Sequence, residues 1–205
     1  MTELKTPTPT VITEPAAEPI TLAEAKAHLR VDSSDEDGLI TGYIEGARKY
    51  LEWRTGRAFV MQTLEVVLDD FPACSSTHIY LPRATPLTAV TYVKYTDEDG
   101  TETTWDSSKY ALDTDNHPGS LRPVPNETYP SFTPYPVNAV RIRYVCGNAS
   151  SPLVIPDNVK NLMYLLTERF YDHRSNWAFE SRQDVGEIGF GIEAMISQIQ
   201  VSYEF

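Results

Sequence analysis

Two apolar stripes at helical spacing stand near opposite ends of this chain, and the stretch between them does not read as helix. The first stripe is Ile40, Tyr43, Ile44, Ala47 and Leu51; the second is Val159, Leu162, Met163, Leu166 and Phe170. Steps of three and four put each set on one face of a helix. Helices this short are marginal alone, so each must bury its stripe, and the two stripes are expected to pack on each other. The region between them is rich in prolines and in short runs of β-branched and aromatic residues. The fold class expected is therefore α+β: a small helical bundle, built from two N-terminal helices and C-terminal helices, with an inserted antiparallel β-rich lobe. The expected divisions are an extended arm over 1–19, a helical core over 20–58 and 151–205, and the β-rich insertion over 59–150.

Local signals place the elements. Pro7, Pro9, Pro15 and Pro19 lie among threonines and glutamates, which predicts an arm with no fold of its own. Thr21 with Glu24 three residues on forms a capping box for a first helix. After the break Val31-Asp32-Ser33-Ser34, Ser34 or Asp35 is placed to cap the longer second helix, and Gly56 to end it. Candidate strands are 62–68, 78–81, 90–95, 101–105, 109–112 and 139–145. Asp99-Gly100 tolerates the positive φ of a tight turn, so 90–105 is expected to be a hairpin. Residues 118–136 hold six prolines and are expected to be a loop or extended arm. Asp157 is a candidate cap for the third helix. A polar loop over 175–189, with a flexible hinge at Gly186–Gly191, and a short helix over 192–199 complete the reading.

Composition removes several functional classes. With 29 acidic against 17 basic residues, the formal charge is −12. A protein that grips DNA needs a basic surface to release phosphate counterions, so sequence-specific DNA binding is not expected. An acidic wall past which DNA slides is compatible with the balance. No run of eighteen apolar residues occurs, and no basic and apolar leader opens the chain, so it is expected to be folded in the cytoplasm with no membrane partner. Cys74 and Cys146 are expected to be reduced, a disulfide between strands being the alternative. His28, His78, His117 and His173 show no metal-ligand spacing. Asp113, Asp115 and Asn116 make a weak calcium-loop match that lacks the glycine and distal glutamate of an EF-hand. No nucleophile elbow, phosphate loop or dinucleotide fingerprint is present. No catalytic residue, cofactor or metal is expected.

The C-terminus has its own pattern. Ile199, Val201, Tyr203 and Phe205 alternate with Gln198, Gln200, Ser202 and Glu204. Period two suits a terminal strand that adds to the sheet edge of a partner. It suits equally a strand paired within this chain, or a last helix that runs to the end.

The order of these pieces resembles a known family. "ITLAEAKAHLRVDSSDEDGLITGYIEGARKYLEWRTGRAF", with its acidic break and its Thr55-Gly56-Arg57 ending, is similar to the start of phage head–tail connector (adaptor) proteins. "YTDEDGTETTWDSSKYALD" is similar to the β insertion of a prophage subfamily. "VRIRYVCG" and "IPDNVKNLMYLLTERFYDHR" resemble that family's final strand and third helix. The resemblance covers about 20–174; the proline-rich 118–136, the N-terminal arm and 175–205 depart from the pattern. It implies a structural virion protein at the neck, between head and tail. Such a protein forms a homo-oligomeric ring, a dodecamer, docked on the portal protein and meeting a stopper or tail-completion protein. Genomic DNA passes through the ring without specific binding. On this reading Ile199, Val201, Tyr203 and Phe205 are candidates for portal binding. Arg48, Arg54 and Arg57 either meet acidic residues of a neighbouring subunit or are simply solvated. A second class is a tail-associated glycan- or host-binding module, stacking sugars on Tyr80, Tyr92, Tyr95, Trp105 and Tyr110. A third is a hydrolase with a dispersed site.

Overall fold

The computed structural model describes residues 8–148, 155–173 and 190–201. Among these lie helices α1 (Leu22–Leu29), α2 (Asp37–Thr55), α3 (Asp157–Asp172) and α4 (Phe190–Ile199), and strands β1 (Thr10–Thr13), β2 (Gln62–Leu68), β3 (Ile79–Tyr80), β4 (Leu87–Thr96), β5 (Glu102–Thr104), β6 (Tyr110–Asp113), β7 (Ser120–Pro123) and β8 (Val140–Cys146). The fold is α+β. The described residues fall into two compact units, one from 17–60 with 155–173 and 190–201, the other from 8–16 with 61–148.

The helical unit follows its stripes. The Thr21 hydroxyl accepts from the Glu24 N–H at 3.2 Å, and the Glu24 carboxylate accepts from the Thr21 N–H at 2.7 Å, which closes the capping box of α1. Helix α2 starts slightly later than expected, with Glu36 in the cap position and no side-chain cap bond. It stops at Gly56, whose φ of 67° is the left-handed conformation that glycine adopts without a steric penalty. Ile40, Ile44, Ala47 and Leu51 share one core with Val159, Leu162, Met163 and Leu166. Ile196 and Ile199 of α4 complete it. Residue 157 opens α3, with Pro156 rather than Asp157 at the cap.

The β unit is built from two antiparallel sheets, ordered β1-β2-β8-β4-β5 and β3-β7-β6. Alternation sorts the large sheet: Leu64, Val66, Val93, Ile142 and Tyr144 are buried, while Arg141 and Arg143 alternate with them on β8. The Asp99-Gly100 turn joins β4 to β5 in the expected hairpin, with Gly100 at φ 83° and Lys94 opposite Thr104. Phe71 gathers Trp105, Tyr129, Phe132 and Tyr95 around it, at centroid distances of 5.4 to 6.0 Å. Neither Cys74 nor Cys146 is in a disulfide.

Three expectations are refined. The proline-rich stretch 118–136 is not all loop, because β7 pairs with both β3 and β6. Its only proline, Pro123, is the last residue of the strand, where a missing N–H costs least. The N-terminal arm is extended but not detached: Thr10–Thr13 forms the edge strand on β2. Finally, at the start of the alternating tail Ile199 is the last residue of α4, and Gln200 and Val201 are in no strand; 202–205 lie outside the described residues.

Candidate functional site

Arg48 was a candidate for contact with a neighbour, and the structure removes it. Its side chain is 2% exposed and lies between two carboxylates of its own chain. Nε donates to Glu18 at 2.8 Å and Nη1 donates to Glu52 at 3.2 Å. Glu52, fully buried, also accepts from the Phe59 N–H at 3.1 Å. A buried cation is tolerated only when paired and hydrogen-bonded, and here the pairing fastens α2 to the segments before α1 and after its own C-terminus.

Arg54 and Arg57 have a different setting. Arg54 pairs with Glu193 of α4 at 2.7 Å, both side chains being about one-third to two-fifths exposed. Arg57 is half-buried and makes no ion pair among the described residues; its Nε lacks a hydrogen-bond partner, and burial pulls its guanidinium below the ordinary value. Trp53, which the sequence reading passed over, is 72% exposed on the side of α2 away from the core, with Tyr50 at 6.3 Å between ring centroids. The signal was available: Trp53 falls off the 40–44–47–51 stripe on a helical wheel.

Of the tail candidates, Ile199 and Val201 are 6% and 8% exposed, and the Val201 N–H donates to the Thr55 carbonyl at 2.8 Å. They serve this chain's helical core, as an amphipathic helix packed against α2 requires. Tyr203 and Phe205 lie outside the described residues, as do 175–189 and most of the glycine-containing hinge.

On the outward face of the large sheet, Glu65 gathers polar partners. It accepts from the Tyr92 hydroxyl at 2.7 Å and from Arg143 at 2.9 and 3.1 Å, with Arg141 at 3.4 Å. Arg143 also stacks over the Tyr92 ring, 4.9 Å from its centroid. Burial alone would raise the Glu65 carboxyl, but the Tyr92 and Arg143 hydrogen bonds outweigh it and hold it below the usual value. This is an interlocked patch, with no nucleophile or base poised on a cavity.

Of the aromatics proposed for sugar stacking, Trp105 and Tyr110 are 5% and 8% exposed and belong to the lobe's own core. Tyr80 alone of the five is well exposed, at 44%, and it stacks on His78. Asp113 spends its oxygens on the backbone and side chain of Asn116, which accounts for the weak calcium-loop pattern as a turn. No group of three or more His, Cys, Asp or Glu side chains able to hold a metal occurs among the described residues. No helix among them is long and apolar enough to cross a membrane.

Residues 19–111 match the model of the phage gp6-like head–tail connector protein family. The connector segment takes in α1, α2 and β2 to β5, and reaches into β6. No curated protein matches the chain. Among solved structures, the whole fold is similar to a chain in the neck of an empty gene transfer agent (GTA) particle computed with C6 symmetry: TM-score 0.77, 21% identity, 97% of each chain covered. It is similar in the same proportion of both chains to one in the virion of a native gene transfer agent particle (TM-score 0.76, 21% identity) and to one in the neck of a native particle computed with C12 symmetry (TM-score 0.73, 20% identity). At this identity the likeness speaks for the fold alone, and it takes in α3 and α4 as well as the segment matched by the family model.

Proposed function

We propose that this chain is a structural adaptor of a tailed particle's neck. Twelve copies form a ring under the portal protein, extend the DNA channel and present a surface to the stopper or tail-completion protein. The observation that carries this reading is the connector match over α1, α2 and the first strands of the lobe. The end-to-end likeness in fold to neck chains supports it, and C6 and C12 symmetries are both compatible with a ring of twelve. The formal charge of −12 suits a wall that DNA passes without adhering. Portal binding by the last residues now rests on Tyr203 and Phe205, because Ile199 and Val201 are occupied within the chain. The glycan-binding alternative loses two of its five stacking rings, Trp105 and Tyr110, to the lobe's core.

The test is removal of the gene from a particle-producing genome. The adaptor reading expects DNA-filled heads without tails, restored when the chain is supplied from a plasmid. Normal tailed, infectious particles that lack the chain would contradict it.

A further inference from the structure

A ring closes only if each copy offers two different patches, one to each neighbour. Resting on the ring proposed above, we infer that one patch is the outward side of the α2 C-terminus, centred on Trp53 and Arg57, and that its occupant is the β4–β5 hairpin tip of a second copy.

The first patch has the chemistry of an interface centre. Trp53 is 72% exposed with Tyr50 beside it, a large apolar area left in water. Arg57, two residues past the end of α2 and just beyond the Gly56 cap, is half-buried with its Nε unpartnered among the described residues. Trp, Tyr and Arg are the residues that dominate binding energy when a partner excludes water from them. A guanidinium in this setting favours a carboxylate partner.

The second patch supplies carboxylates. Asp97, Glu98 and Asp99 form the hairpin turn. Asp97 is committed to the turn, accepting from the N–H groups of Asp99 and Thr101 at 3.1 and 2.8 Å. Glu98 and Asp99 are exposed and make no ion pair among the described residues. Just below, Lys94 is already neutralised by Glu102 at 2.6 Å. The tip therefore offers two uncompensated carboxylates on an exposed turn, which suits a neighbour whose guanidinium makes no ion pair of its own.

The test uses the full chain with benzoylphenylalanine in place of Trp53, irradiated in assembled particles, followed by peptide mapping. The expected product joins two copies, position 53 to the peptide that contains 97–100. In parallel, Arg57→Glu should weaken assembly by about tenfold or more, and Glu98→Lys with Asp99→Lys in the same chain should restore it. Capture of a different protein, or of another part of the chain, overturns this contact and leaves the ring standing. If electron microscopy shows no ring of this chain, both readings fail. A charge-reversed chain that assembles like wild type also overturns the contact.

Discussion

Arg48 is the residue on which the helical unit depends most. Removing it takes from Glu52, fully buried, and from Glu18 the guanidinium that both of them bind. Breaking a buried ion pair from one side costs on the order of 3–5 kcal/mol, so Arg48→Ala should shift the urea midpoint sharply downward. Exchange of both Arg48 and Glu52 for apolar residues of similar volume should cost much less. In the β unit, Glu65 ties stability to pH. Its folded-state pKa is lowered, so its stabilisation is present above the unfolded value and is lost as pH falls through the folded one. Stability measured by urea unfolding should decline as pH drops below about 4.5, and Glu65→Gln should flatten part of that decline. Gly119 is the tightest backbone site: a Cβ there would stand 2.4 Å from the Leu87 Cβ, while its N–H donates to the Ala84 carbonyl at 2.8 Å. Gly119→Ala should therefore destabilise the β unit by about 1–3 kcal/mol, read from its thermal midpoint.

Among elements, α4 and the tail show how far sequence carries. Ile192, Ile196 and Ile199 are helical steps, while Ile199 to Phe205 alternate; the two periods overlap at Ile199, so periodicity alone could not say where helix stops. Packing decides it, since Ile199 and Val201 are drawn into the core against α2. Deleting 199–205 should therefore lower the melting temperature of the helical unit. Deleting only 202–205 keeps the buried Ile199 and Val201, so a loss of portal binding is to be read in that shorter truncation, alongside its melting temperature. Elements set by local chemistry were legible: the Thr21–Glu24 box, the Gly56 stop and the Asp99-Gly100 hairpin each follow from one or two residues. Strand β7 was not, because six prolines mask a four-residue strand whose single proline sits at its end. The partners of Arg48 were half legible. Glu52 is one turn away on the same helix, but Glu18, thirty residues upstream, could be placed only by the fold.

For the whole molecule, sequence established the class and the order of helical and β-rich parts, and the structure redistributed the functional residues. Arg48, Ile199 and Val201 turned inward to hold the fold, and Trp105 and Tyr110 became core. What faces outward is Trp53 beside Tyr50, the acidic hairpin tip, and an interlocked sheet face around Glu65. That distribution, packed units with a few exposed anchors, suits a building block. The measurement that bears most directly on the account is an electron cryomicroscopy reconstruction of the particle that carries this chain. The account predicts density for its fold as a closed ring between portal and tail, twelve copies around the DNA channel. Density for this fold at the tail tip, or a tailed particle whose neck ring is built from another chain, would contradict it.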